Sequence, residues 1–225
     1  ALLFIGIILS CRLFLTDQLV IVEDVDTVNR EPPMGRKKSY DRDALIDAAM
    51  ELFRDHGFAG TSTQMLVEEL GGNRFSLYAE FGNKQDLFDA ALERYDKQVV
   101  ERNFGPLEVP GAGIAEIRSL LNFFGKAGQG PTSGRGCLLC NTAVEFGPED
   151  PSGAAFVQRY FTRLSRAFRA ALENAHGRGE LHPSVIPREE AHFFTASVLG
   201  LFVMLRAKAS PAVVRSAVRV ALAHL

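Results

Sequence analysis

Tryptophan is absent, cysteine occurs three times, and no Asn-x-Ser/Thr acceptor sequence is present. The cysteines, at 11, 137 and 140, are odd in number and irregular in spacing. They make no disulfide framework, which points to a reducing compartment and a cytoplasmic location. Neither sign of charge is in excess: 25 basic residues face 27 acidic ones, a net charge of −2. That balance excludes a global field drawing the chain to nucleic acid or to an anionic membrane, so any DNA binding must rest on local placement. A membrane-spanning run is also missing. The apolar opening Ala1–Cys11 is interrupted by Arg12, Asp17 and Gln18, short of the roughly 18–20 residues a bilayer requires. It has no basic start and no small-residue cleavage site, which argues against a signal peptide. Nucleophile-elbow, HExxH, Walker and dinucleotide motifs are lacking, as is a convincing acid/base pair, so a helical enzyme is the weaker reading. The five histidines, at 56, 176, 182, 192 and 224, are scattered, and no metal or cofactor is expected.

What is present is a chain of 225 residues, 47% apolar, ample for a packed core. Residues 1–33 do not conform to the rest. Met34-Gly35-Arg36-Lys37-Lys38 opens a basic stretch directly before the globular pattern, so 1–33 is expected to be an upstream extension. An amphipathic, membrane-associating N-terminus is the alternative.

From residue 41 onward the periodicity is helical and no stretch alternates as a strand would. Leu45, Ala48, Ala49, Leu52 and Phe53 share one face of a helix over 41–56, stopped by Gly57. Thr61, with Gln64 three residues on, predicts the capped start of a second helix ending at Gly71-Gly72. Asn73 caps a third over 74–81, and Asn83 with Asp86 caps a fourth to about residue 102. Pro106–Gly113 reads as a break. Further helices are expected at 114–126, 137–146, 152–176, 188–207 and 211–224, with Asp150-Pro151 and Ser210-Pro211 as starts. The fold class is therefore all-α.

Two short helices joined by a glycine turn give the helix-turn-helix outline, in which the second helix enters the major groove. Leu77 and Phe81 stand four apart and face inward, leaving Arg74, Ser76, Tyr78 and Ala79 mostly outward. Arginine can pair bidentately with guanine, and a tyrosine hydroxyl can hold a phosphate. Residues 34–97 carry nine basic and twelve acidic side chains, an unusual balance for a DNA binder, offset by the basic arm Arg36, Lys37 and Lys38.

The combination of Ala48-Ala49 with Leu52-Phe53, Gly57-Phe58, Thr61-Ser62, Leu77-Tyr78 before Phe81, and Asn83-Lys84 before Asp86-Leu87 resembles the DNA-binding domain of the tetracycline-repressor (TetR) family over roughly 55 residues. The resemblance implies a three-helix helix-turn-helix domain (34–84), then a helical effector-binding and dimerisation domain (85–225). It implies a homodimer on double-stranded, palindromic operator DNA, released by a small effector. It also implies that Thr61, Ser62 or Thr63, Tyr78 and Lys84 contact phosphates, while Asn73, Arg74, Ser76 and Ala79 approach bases or backbone. Gly72, Asn73 and Phe75 depart from the family pattern. Phe75 either packs inward or meets a thymine methyl, which leaves the operator sequence open.

Over 114–176 the large apolar groups far outnumber polar ones, which predicts a small hydrophobic effector enclosed by Phe123, Phe124 and Phe161 and oriented by Asn141 or Glu145. Cys137-Leu138-Leu139-Cys140 has redox-like spacing. Thiol sensing there is the competing reading, and buried structural cysteines are the plain one. The apolar circumference of helix 188–207, with helix 211–224, predicts a four-helix dimer interface in which Ala196 and Gly200 permit close approach.

Overall fold

Ten α-helices follow one another in the computed structural model, which describes residues 41–71, 73–130, 134–146 and 151–225, with no strand among the described residues. The basic arm 36–38, the leader 1–33 and the Asp150 cap lie outside the described residues.

Helix α1 (Arg42–Gly60) buries Leu45, Ala49 and Phe53, the face that the periodicity predicts. Gly57, at φ 75°, bends it rather than ending it, and a last turn runs on to Gly60. α2 (Thr63–Leu70) and α3 (Arg74–Phe81) follow, separated by Gly71 in the left-handed region. α4 (Lys84–Tyr95) begins at a true capping box: the Asn83 side chain accepts from the Asp86 amide at 3.0 Å, and the Asp86 carboxylate accepts from the Asn83 amide at 3.0 Å. The expected break at Pro106 does not occur. α4 continues through a π-helical turn, Asp96–Val100, into α5 (Glu101–Glu108), which carries Pro106 inside it. Chain direction changes only at Val109–Gly113.

The remaining helices are α6 (Ile114–Ala127), α7 (Leu138–Glu145), α8 (Pro151–Gly177), α9 (Pro187–Arg206) and α10 (Pro211–Leu222). Ser210 caps α10, accepting from the Val213 amide at 3.5 Å. The core is continuous. Phe53, Phe58, Phe88 and Phe146 bring α1, α4 and the end of α7 together, with ring centroids 4.9–6.2 Å apart. Phe104, Phe124, Tyr160 and Phe202 do the same for α5, α6, α8 and α9. No helix among the described residues is long and apolar enough to cross a membrane.

Candidate nucleic-acid interface

The turn from α1 into α2 depends on two adjacent hydroxyls with different duties. Ser62, not Thr61, caps α2, accepting from the Met65 amide at 3.1 Å. Thr61 is fully enclosed, and its hydroxyl donates to the Gly57 carbonyl at 2.6 Å. This corrects two expectations: Thr61 is not the cap, and its buried hydroxyl cannot reach a phosphate. Gln64 likewise bonds Glu68 at 2.8 Å rather than closing a capping box.

α3 is held from both sides. Leu77 and Phe81 are buried beneath it, and Asn73 caps it by accepting from the Ser76 amide at 2.8 Å. Thr63 and Tyr78 share a hydrogen bond of 2.7 Å, tying the start of α2 to the middle of α3 and placing two hydroxyls side by side. Asn73, Arg74, Phe75 and Ala79 face outward, with Ser76 and Tyr78 half-buried. The Arg74 guanidinium lies 5.8 Å from the Tyr78 ring centroid. Phe75 is 85% exposed, which settles its orientation against inward packing. Lys84 opens α4 with its ammonium 4.3 Å from the Phe58 ring centroid, where burial lowers its pKa and the Glu145 carboxylate partly restores it.

The acidic excess of this region is absorbed locally. Asp47 and Asp43 of α1 are met by Arg94 at 2.6 and 3.4 Å. Glu51 and Asp55 are met by Arg135 at 2.5 and 2.8 Å, and Glu80 stands 3.5 Å from Arg42. Carboxylates of α1 are thus paired with arginines of α4 and of the segment before α7.

That body grips α1 through groups the sequence did not reveal. Arg206 of α9 donates to the Arg54 and Asp55 carbonyls at 2.9 and 3.0 Å. Arg54 donates to the Gly136 carbonyl at 3.0 Å. Glu145 of α7 accepts from the Phe58 and Ala59 amides at 2.8 and 2.6 Å. No periodicity marks an arginine as a ligand for carbonyls over 150 residues away.

The five side chains expected to enclose an effector are not brought together. Phe124 is core, 4.8 Å from Phe202 between ring centroids, whereas its neighbour Phe123 is 53% exposed. Asn141 donates to the Arg135 carbonyl at 3.0 Å, Glu145 is occupied at α1, and Phe161 lies apart on α8. Instead, a cavity of about 690 Å³ opens along the seam between the π-helical turn, α5 and α8. Asp96, Glu108, Gln158, Arg159, Arg163 and Arg166 line it. Arg163 makes a two-pronged ion pair with Glu108 there, at 2.6 and 2.7 Å.

Cys137, at the start of α7, and Cys140 are both buried and free. The Tyr160 hydroxyl lies 3.5 Å from Cys137 Sγ. Burial disfavours the thiolate, but hydrogen bonds from Cys140, Tyr160 and Tyr95 outweigh it and hold Cys137 at about 6. The hydrogen bond to Cys137 and burial push Cys140 upward. Among the described residues no cluster of metal-ligating side chains is present.

On α9, Phe194, Val198, Leu201, Phe202 and Leu205 are buried within the chain, so only part of the helix's apolar circumference is left for a partner. The outward stripe is Ala196, Gly200 and Val203, matched on α10 by exposed Val213 and Val220 with half-buried Ala217 between them.

A capped helix pair presenting Arg74, with a hydroxyl pair at its shoulder and a large helical body behind, defines a helix-turn-helix DNA-binding regulator. Residues 45–91 match the family described as bacterial regulatory proteins, tetR family, and residues 113–221 match the tetracyclin repressor-like C-terminal domain. The uncharacterized HTH-type transcriptional regulator YezE of Bacillus subtilis is 36% identical over 66% of this chain and 77% of its own. The HTH-type transcriptional repressor ComR of Escherichia coli is 31% identical over 78% of this chain and 84% of its own. Among solved structures, the TetR family regulator CifR, a cysteine mutant complexed with 26-bp double-strand operator DNA, superposes with a TM-score of 0.74 and 26% identity, over 84% of this chain and 98% of that one. The chain belongs to the TetR family of DNA-binding transcriptional regulators, not to an enzyme family.

Proposed function

We propose that this protein is a cytoplasmic repressor that binds a palindromic operator as a homodimer and leaves it when a small molecule occupies its helical body. The observation that carries this reading is the outward side of α3, where Arg74 and the cap residue Asn73 are exposed beside the Thr63–Tyr78 hydroxyl pair. Residues 34–84 serve as the DNA-reading part and 85–225 as the effector and dimer part. Ser62, Thr63, Tyr78 and Lys84 hold phosphates, Arg74 and Ser76 approach bases, and the arm Arg36, Lys37 and Lys38 adds charge at the groove edge. Repression is supported by ComR, which is named a repressor, and operator binding by CifR, solved on its operator.

The dimer uses the small-residue stripe of α9 and α10. A partner fixes the distance between two copies of α3, which must match the roughly 34–36 Å between successive major grooves. The effector site is assigned to the seam cavity beside the π-helical turn, since such turns are weak points in a helix and often functional. Its lining of three arginines suits a molecule with a polar or acidic group better than the purely hydrophobic one that apolar counts suggest, because most of those apolar groups are closed core. Occupancy there would shift the population toward a dimer with wrongly spaced α3 helices.

A second reading, thiol sensing, is favoured by one observation: two free thiols, Cys137 and Cys140, stand one helical turn apart, and hydrogen bonding from Cys140, Tyr160 and Tyr95 favours the Cys137 thiolate. A gel-shift titration on a duplex selected from a random library separates the two. Diamide alone releasing DNA, with Cys140→Ser abolishing the response, supports thiol sensing. Release blocked by Arg166→Ala but not by Cys140→Ser supports the seam. Failure to select any duplex overturns both.

A further inference from the structure

Phe75 occupies the second position of α3 and is 85% exposed, the highest exposure among the large apolar side chains of the described residues. A phenyl ring left in water forfeits the stabilisation that burial would give it. The other two large apolar side chains that α3 carries beside Phe75 and Tyr78, Leu77 and Phe81, are both buried. The ring therefore has no duty in holding the fold. It sits with Arg74, Tyr78 and Ala79 around an open apolar depression of about 590 Å³ on the outward side of the helix. Its neighbours there are the arginine, the Tyr78 ring and the Ala79 methyl group, while Glu80 on the same helix is turned toward Arg42.

Continuity with the DNA-reading surface selects the occupant. The first turn of a recognition helix is the part that meets base edges in the major groove. Base edges there are almost wholly hydrogen-bonding groups, and the single apolar one is the 5-methyl of thymine. A phenyl ring makes no hydrogen bond, so against any other edge it would strip water from a donor or acceptor and return nothing.

We infer that Phe75 is a specificity-determining residue that packs on a thymine methyl, requiring one thymine in each half of the operator at the base pair facing the first turn of α3. The inference rests on the reading of α3 as the recognition helix. Removing a methyl-sized group from such a contact changes a binding constant by about fourfold, so loss at both halves of a palindrome multiplies to roughly fifteenfold.

Deoxyuridine differs from thymidine only in lacking that methyl. A duplex is selected from a random library with the purified protein, and each thymine is then replaced in turn by deoxyuridine while the dissociation constant is followed by fluorescence anisotropy. Each position of one symmetric pair is expected to cost about fourfold with the parent protein, and the two replaced together about tenfold or more. Phe75→Ala is expected to bind the thymine duplex about as weakly as the parent binds the uracil one, and to be indifferent to the replacement. Phe75→Leu is expected to keep part of the difference. Because the ring is exposed, thermal unfolding of both variants should match the parent, which separates lost recognition from lost folding. A parent that binds its selected duplex yet loses less than twofold at every thymine overturns the assignment, as does a Phe75→Ala variant that keeps the thymine preference. A parent that selects no duplex at all overturns the recognition-helix reading itself, a result distinct from either.

Discussion

The Glu145 carboxylate of α7 accepts hydrogen bonds from the Phe58 and Ala59 amides just after the bend at Gly57, at 2.8 and 2.6 Å. Both amides belong to the final turn of α1, the segment that aims α2 and α3. A Cβ at Gly57 would stand 2.7 Å from the same carboxylate, and the φ of 75° there is costly for any other residue. One charged side chain on the helical body thus fixes the direction in which the DNA-reading pair leaves α1.

Glu145→Gln keeps the shape but halves the accepting capacity and removes the charge. Hydrogen bonds to charged groups are worth roughly 1.5–3 kcal/mol each when enclosed, and at this exposed site the loss is expected to be about 1 kcal/mol in urea unfolding. DNA affinity should fall while dimerisation is unchanged, because α9 and α10 are untouched. Equal affinity for the selected duplex in anisotropy would remove Glu145 from the coupling.

Lys84 and Arg74 are expected to fail in different ways. Lys84→Ala should weaken binding to selected and random duplex about equally and flatten the salt dependence by about one unit, as one lost phosphate contact requires. Arg74→Ala should instead erode the difference between the two duplexes. If both variants bind like the parent across a salt titration, the assigned face is wrong.

Much of this surface was legible because caps and apolar spacing are local. Asn73, Asn83 and Asp86 occupy the capping positions that their spacing predicts, and Leu77 and Phe81 turn inward as residues four apart on an amphipathic helix do. The misses arose where the deciding partner is distant. Thr61 and Ser62 are both suitable caps, and only the enclosure of Thr61 against the Gly57 carbonyl shifts the cap by one residue. Asn141 and Glu145 do share a face, but a shared face does not say that α1 lies against it. Phe123 and Phe124 count equally toward an apolar composition, yet adjacent positions on a helix point about 100° apart, and only one reaches Phe202. Pro106 sits in α5, where the sequence predicted a break.

The Glu108–Arg163 pair that bridges α5 and α8 has a defined pH signature. The Arg163 guanidinium holds the Glu108 carboxyl below the usual carboxylate range, against the opposing effect of burial. A depressed folded value means that the charge-dependent stability is present above the ordinary glutamate range and disappears as pH falls through the lower folded value. Glu108→Gln should therefore cost about 0.5–1 kcal/mol in urea unfolding at pH 7, the discounted worth of a partly exposed pair. The difference from the parent should shrink as pH falls below the ordinary glutamate range and vanish once the folded carboxyl is protonated. A gap that stays constant across an acid titration would mean that packing, not charge, holds this seam.

The α9–α10 stripe should decide the oligomeric state. Ala196, Gly200 and Val203 fall three and four apart on α9, and Val213, Ala217 and Val220 do so on α10, so each helix offers a single apolar line free of long side chains. A Cβ built at Gly200 meets nothing within 4 Å, which shows open space above it rather than a neighbour in the same chain. Small residues along such a line let two helix backbones approach closely, and four helices then bury the exposed valines together. Gly200→Arg would put a long cation into that contact while disturbing nothing inside the subunit. Light scattering at micromolar concentration is expected to give a dimeric mass for the parent and a monomeric one for Gly200→Arg, with helical content by circular dichroism unchanged. Specific DNA affinity should then fall at least a hundredfold, since each half-site would be held by a single α3, whereas non-specific binding should fall far less. A monomeric parent, or a dimeric Gly200→Arg, would place the partner surface elsewhere on the molecule.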